Sequence, residues 1–272
     1  MGTHPPPDSL PTGGRPKTTD LRQIVNAILY QAKTGCQWRM LPHDFPPEGT
    51  VRDYFHRFKR NKVLENINDE LRQRVRIQAG RNAERVWPSL IVKVSKRHQR
   101  QAKGALTAGK KINGVKRHFL VDVLGLLICI VVHAADIGER EGAALVLKRA
   151  ERQKLPRWQK VLADGGYSGE NMKNEAAKYG LQWEVVKRPE MHKFVVVPKR
   201  WVVERSVSWT MNWRSLCRQY DYDLRTTETK IVLSSVFYLS ARLTEPRKVL
   251  WEINEEHERK LRLPPNNTTQ NT

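Results

Sequence analysis

Cysteine is scarce in this chain. There are three among 272 residues, at positions 36, 129 and 217, with no paired spacing. That excludes a disulfide framework and a zinc knuckle, and reads as ordinary reduced thiols. Long apolar runs are also missing. The longest, Leu124 to Ala135, is broken by Gly125 and His133 and is too short to span a bilayer. The opening residues lack the charged-then-apolar order of a signal peptide. The expectation is a cytoplasmic, nucleoid-associated protein with no membrane partner. Acidic residues are the third shortage: 28 Asp and Glu face 49 Lys and Arg, a formal charge of +21. Such an excess points to a polyanionic partner, DNA or RNA, against the plainer reading of a solvated basic surface. Eight tryptophans weigh against a disordered basic tail.

The length suffices for a substantial core and more than one domain. Residues 1–19 are rich in Pro, Gly and Thr and read as a flexible arm. Residues 20–80 read as a small all-α domain. Asp20 can cap a helix carrying Leu21, Ile24, Val25, Ile28 and Leu29 at helical spacing. Thr50 can cap a second helix, with Val51, Tyr54, Phe55 and Phe58 on one face and Arg52, Arg57, Lys59 and Arg60 around it. A third spans Val63 to Ile77, with Leu64, Ile67, Leu71 and Val75 inward. Short helices with tight turns and a basic helix suit a helix-turn-helix-like DNA-binding module. A plain helical bundle with solvated arginines fits the pattern equally well.

Beyond residue 86 the period changes. Ser89 to Val92 reads as a strand, and His118 to Val123 and Leu126 to His133 as a hairpin around Gly125. Glu141 to Glu151 is a helix burying Ala144, Leu145 and Leu147. Lys160 to Ala163 is a strand ending at Asp164. Gly169 to Tyr179, Arg200 to Arg214 and Thr227 to Leu243 are helices, and Gln182 to Val186 a strand. The order is α/β, with a mixed sheet flanked by helices over residues 86–244. Asp164 then sits at the C-terminal end of a strand, where open sheets place ligands. Residues 245–272 form a charged helical or disordered tail.

Several strings carry a resemblance, in order: Thr34-Gly35-Cys36-Gln37-Trp38-Arg39-Met40-Leu41-Pro42, Asp44-Phe45-Pro46-Pro47, Gly109-Lys110-Lys111-Ile112, Lys116-Arg117-His118, Val131-Val132-His133-Ala134-Ala135-Asp136, Ala163-Asp164-Gly165-Gly166-Tyr167 and Val202-Val203-Glu204-Arg205. From about Gly14 to Leu243 the chain resembles DDE transposases of the bacterial insertion-sequence-five group. The resemblance implies a ribonuclease-H-like catalytic domain. It implies two Mg²⁺ ions held by three carboxylates, and cleavage and strand transfer of DNA at element ends. The implied partners are double-stranded DNA, at terminal inverted repeats and target, and further copies of the chain assembled on it. Hard oxygen donors suit Mg²⁺, and paired ions suit phosphodiester chemistry.

By resemblance Asp164 matches the second acidic ligand and Glu204 the third, which makes both the catalytic and metal-binding candidates. An Asp before Gly-Gly is also a common turn former, and Glu204 could simply pair with Arg200 one helical turn earlier. The first ligand is where the chain departs. The family carries Asp-Ser-Gln at the end of its first strand. Here Val94 falls at the Asp in the ungapped register, with Ser95 retained, and Lys93 is the alternative. No Asp or Glu lies between Glu84 and Asp122. Neither Val nor Lys can serve as a carboxylate, and an ammonium repels a cation. Asp122 is the nearest acid, and in the family it is not the ligand. By the same resemblance, the helix that usually precedes Gly14 is expected to be missing here. The chain reads as a degraded copy, with an inactive DNA-binding remnant as the alternative. Arg52, Arg57, Lys110, Lys111, Lys116, Arg117, Lys199, Arg200, Arg205 and Arg214 are the candidates for contact with DNA phosphates. Trp201, Trp209 and Trp213 recur at helical spacing and read as packing. His118 and His133 read as too isolated to be metal ligands.

Overall fold

A computed structural model describes residues 19–82, 89–96, 114–151, 158–164, 167–186 and 200–244. The expected arm and tail, and Lys110, Lys111 and Lys199, lie outside these residues. So do the side chains of Lys93, Val94, Asp164, Arg200, Trp201 and Glu204.

The first helix, α1 (Leu21–Thr34), starts and stops where local chemistry dictates. The Asp20 carboxylate accepts from Arg22 N–H at 2.9 Å. Gly35 ends the helix at φ 70°, and its N–H donates to Gln31 C=O at 2.8 Å. A Cβ there would also stand 3.1 Å from the Ser215 backbone nitrogen, so the position needs glycine twice over. A single 3₁₀ turn follows at Trp38–Met40. Helix α2 (Glu48–Arg60) has its N-cap at Pro47, three residues before the expected cap at Thr50. Proline pre-sets the entry angle, so no side-chain cap is needed.

Helix α3 (Val63–Gln78) buries a different stripe from the one its hydrophobic spacing suggests. Leu64 and Val75 face inward as expected, but Ile67 is exposed. Asn68, Arg72 and Arg76 are buried in its place. The reason is polar and long-range. Asn68 Nδ2 donates to Leu127 C=O at 2.9 Å, and its Oδ1 accepts from the Ser235 hydroxyl at 2.7 Å. Arg76 Nη1 donates to the Asp122 carboxylate at 2.5 Å.

Five strands form one sheet in the order β3-β2-β1-β4-β5: β1 (Ser89–Lys96), β2 (Gly114–Val121), β3 (Leu127–Ala134), β4 (Lys160–Asp164) and β5 (Gln182–Val186). Strands β1 to β3 are an antiparallel meander, and β4 and β5 run parallel to β1. This is the mixed sheet flanked by helices that the sequence predicts. Both faces are covered, so β2 is buried at every position instead of alternating. On one face Leu120, Val131, Val161 and Ala163 pack with α4 (Glu139–Glu151) and α5 (Glu170–Ala177). On the other, Val115, Phe119, Val121 and Val132 pack with α1, α2, α6 (Arg200–Met211), α7 (Arg214–Cys217) and α8 (Leu224–Thr244). The N-terminal helices thus share a core with the sheet. In α4 the buried stripe is Gly142, Ala143, Val146, Leu147 and Ala150, while Leu145, expected inside, is exposed. The expected helix from Arg200 to Arg214 is two helices, broken at Asn212 and Trp213, with the Trp213 ring buried in the core.

The outer strand β3 is protected by side chains. Glu228 Oε1 accepts from Val132 N–H at 2.8 Å, Arg149 Nη1 donates to Ile130 C=O at 2.5 Å, and the two side chains pair at 2.7 Å. This satisfies strand-edge groups that would otherwise invite a second sheet.

The turn from β2 to β3 is organised by Asp122, which is completely buried. One oxygen accepts from Leu124 and Leu126 N–H at 2.9 and 2.8 Å; the other takes Arg76. We expect Arg76→Met to cost about 3–5 kcal/mol in urea unfolding, because it strands a buried carboxylate. Adding Asp122→Asn should recover part of that loss.

Candidate functional site

Strand β4 carries Asp164 at its C-terminal end, paired with Val186 of β5. Beside it β1 runs parallel, with Leu90 level with Ala163, and continues to Lys96. Helix α6, which carries Glu204, packs against β1 and β2. Its seat is the Asp122 turn. Arg205 Nη2 donates to Leu124 C=O at 2.9 Å, and the buried Ser206 hydroxyl donates to Gly125 C=O at 2.6 Å. The fold therefore gives the strand of Asp164 and the helix of Glu204 a common neighbour in β1.

What β1 offers between them is not a carboxylate. Its eight residues are Ser89-Leu90-Ile91-Val92-Lys93-Val94-Ser95-Lys96. Lys93 is in register with Arg117 and Val94 with Lys116. Asp122 cannot substitute, because both its oxygens are committed to Arg76 and to the amides of its own turn. Among the described residues there is no group of three or more His, Cys, Asp or Glu able to hold a metal. The resemblance implies three carboxylates for two Mg²⁺ ions, and residues 89–96 supply none.

The basic candidates separate by burial. Arg117 is fully buried. Its Nη1 donates to Leu216 C=O at 2.6 Å and lies 3.6 Å from Met211 Sδ, and its Nη2 donates to Gln219 Oε1 at 3.3 Å. Burial pulls its pKa down to about 10, against the nearby Asp221, which raises it. Lys116 is buried too, with its ammonium donating to Ile137 C=O at 2.6 Å. Their expected role on DNA phosphates is therefore corrected: both cations fasten the sheet to its neighbours and neither is presented to solvent. Arg205 is half-buried, stacked 5.0 Å from the Trp209 ring centroid. Burial, and then Arg242, lowers it to about 10. Arg52, Arg57 and Arg214 are exposed. Arg57 lies over the Tyr54 ring at 5.0 Å, and Arg52 is 4.0 Å from Glu48. Lys59 ties the end of α2 to the start of α8 through Asp223 at 2.8 Å and Thr226 at 3.1 Å.

One cluster escaped the sequence reading. His118 and His133 are not isolated. Their Nε2 atoms are 2.7 Å apart, and His118 Nδ1 is 3.1 Å from the Tyr167 hydroxyl. His133 Nδ1 lies 2.7 Å from Ala134 C=O. The hairpin register held the signal: His133 pairs with Lys116 and His118 with Val131, so the imidazoles are diagonal cross-strand neighbours.

The sequence comparisons fall on these same elements. Residues 89–234, the sheet with its helices through most of α8, match the family described as "Transposase DDE domain". The chain belongs to the DDE transposases. Residues 3–68 match the family described as "Putative transposase of IS4/5 family". No curated protein matches. Among solved structures, the chain is similar to the catalytic core domain of BIV integrase, at 13% identity and a TM-score of 0.34, over 54% of this chain and 80% of that one. It is similar to the Mos1 transposase in a paired-end complex with the left transposon end, at 11% identity and a TM-score of 0.30, over 86% and 80%. A Mos1 mariner paired end complex with Mn gives 12%, 0.31, 86% and 80%. These likenesses are distant, and the family rests on the sequence match. Membership implies divalent-metal use. No helix among the described residues is long and apolar enough to cross a membrane.

The histidines predict an acid limit. Burial, then each other and Lys116, depresses His118 to about 3, and burial chiefly lowers His133. A base depressed on folding takes up protons more readily when unfolded. Stability is therefore complete above the unfolded value of 6.5 and declines as pH falls below it. Urea unfolding at pH 5 should show about 2 kcal/mol less stability than at pH 7.5 from this cluster. His118→Phe with His133→Leu should flatten that slope.

Proposed function

We propose that this chain binds the DNA ends of an insertion element, and that its cleavage step is impaired by the loss of the first carboxylate on β1. The observation that carries the reading is the β1 sequence beside a fully committed Asp122. Residues 89–96 hold no acid, and the nearest one has no oxygen to give. Asp164 and Glu204 remain the assigned second and third ligands. Alternation along β4 supports the assignment of Asp164. Ala163 packs into the α4–α5 core, so position 164 falls to the other face, where α6 runs. The same alternation bears on the lost ligand. Position 93 shares a row with Arg117, whose side chain reaches α7. Position 94 shares one with Lys116, whose side chain reaches Ile137. The strand register thus favours Lys93 as the residue standing in the ligand's place, whereas the string resemblance favours Val94.

Nicking of DNA bearing the flanking element ends, with Mg²⁺, tests the reading. The unaltered chain should stay near background. Lys93→Asp or Val94→Asp should raise nicking by about tenfold or more, since a third oxygen donor then joins the two assigned ones. The better of the two variants identifies the register. Robust nicking by the unaltered chain, lost in Asp164→Asn, would show that the first carboxylate is dispensable.

Support for DNA as partner is the charge of +21 and the exposed Arg52, Arg57 and Arg214. Lys110, Lys111, Lys199 and Arg200 stay in the proposal on sequence alone. Arg205 could reach DNA only from a half-buried position. Four phosphate contacts would weaken binding by roughly a hundredfold between 50 and 200 mM salt, through counterion release. Arg52→Ala with Arg57→Ala should lower the slope of log affinity against log salt by about 2. An affinity that does not change with salt would rule out the phosphate contacts.

A further inference from the structure

We propose that Tyr167, His118 and His133 form a one-directional hydrogen-bond relay that positions the end of β4, and with it Asp164. The importance of that position rests on the site assignment above; the relay itself rests on contacts alone. Tyr167 is buried and stands three residues after Asp164. It is the first buried anchor of the described chain beyond the strand end. Its ring packs edge-on against Trp183, whose indole N–H donates to Tyr167 C=O at 3.2 Å.

The protons of the relay are fixed by elimination. His133 Nδ1 sits 2.7 Å from a carbonyl oxygen, which can only accept, so that nitrogen carries a proton. A neutral His133 then offers a lone pair at Nε2. His118 must donate from its own Nε2 across the 2.7 Å gap. His118 Nδ1 is left as an acceptor, and the Tyr167 hydroxyl donates to it at 3.1 Å. Each link dictates the next: Tyr167 O–H to His118, His118 N–H to His133, His133 N–H to Ala134 C=O. A proton added at His133 Nε2 opposes two N–H donors across the 2.7 Å gap, and one added at His118 Nδ1 makes the Tyr167 hydroxyl turn from donor to acceptor, which reverses that link.

Helix α4 closes the relay from above. A Cβ on Gly142 would fall 2.3 Å from the Nε2 atoms of both histidines, so only glycine lets the helix lie on the pair. The charged groups facing the histidines are Lys116 on β2, Asp136 beyond β3 and Glu141 on α4. The two acids favour a charged His133 and the lysine opposes it, while burial holds the pair neutral. Strands β2 and β3 thus reach under α4 to hold Tyr167, three residues beyond Asp164.

Two measurements on the full chain, without metal or DNA, test this. Long-range ¹H–¹⁵N spectra of ¹⁵N-histidine-labelled protein at pH 7.5 should show His118 protonated at Nε2 and His133 at Nδ1. The reverse tautomer at either residue, or an imidazolium, overturns the relay. Hydrogen exchange of the amides of residues 161–164 reads the positioning. Tyr167→Phe keeps the ring and deletes the donor, and should raise their exchange by about tenfold at pH 7.5. After correction for intrinsic rates, opening that exposes the imidazoles should become easier as pH falls from 6.5 to 5, so the unaltered chain should lose protection there, and His118→Phe with His133→Leu should show no such step. Unchanged protection in Tyr167→Phe overturns the positioning role. Gly142→Ala deletes no relay group but pushes the histidines apart. It should reproduce the exchange increase; normal protection there also overturns the proposal. Neither readout involves nicking, so the relay and the reading of the site can fail separately.

Discussion

The buried carboxylate of Asp122 is the constraint around which the molecule is arranged. Its two oxygens draw in an arginine from α3 and two amides from its own turn. A buried ion pair is expensive to desolvate, and it holds when further hydrogen bonds satisfy the charge, as the two turn amides do here. The arrangement stands in for what the hydrophobic pattern of α3 alone would not specify: which face of that helix turns inward. It also fixes the carbonyls of Leu124 and Gly125, on which α6 docks through Arg205 and Ser206. The helix bearing Glu204 and the N-terminal helices are thereby referred to one turn.

This explains which parts of the fold could be read from the chain. The hairpin around Gly125 and the strand ending at Asp164 were legible, because turn residues and short apolar runs are local signals. The inward face of α3 was not. Ile67 fits the apolar spacing, yet Asn68 and Arg76 take the interior because their partners lie on β3, α8 and the Asp122 turn, far along the sequence, while Arg72, buried between them, pairs with Asp69 of its own helix. The Lys116-Arg117-His118 string failed as a surface patch for a related reason. A strand covered on both faces gives every residue a buried neighbour, and a cation there survives only by donating to backbone carbonyls. Its third member, His118, looked isolated because a lone imidazole carries no spacing signal. Its partners come from β3 and from the far side of β4.

The positive charge is accordingly of two kinds. Arg76, Arg117, Lys116 and Lys230 are internal fasteners, Lys230 pairing with Asp221 at 2.8 Å. Their contribution is structural, and they add little to the field a polyanion meets. Arg52, Arg57 and Arg214 face solvent. A net charge read from composition measures both kinds together, so it indicates the class of partner more securely than it indicates the surface that meets it.

The same division separates folding from chemistry. Converging carboxylates repel one another unless a cation sits among them, so an intact DDE site carries an electrostatic cost in the metal-free fold. Replacing the β1 acid by an apolar or cationic residue relieves that repulsion. It also removes a donor without touching Asp122, Arg76 or the relay beneath α4. A chain altered in this way keeps what orders its sheet and helices and keeps its exposed arginines. On this reading the loss falls on metal retention and cleavage, while the surface that meets DNA stays folded around a site that lacks one ligand. That follows from the scaffold drawing its stability from one set of buried polar contacts and its chemistry from another.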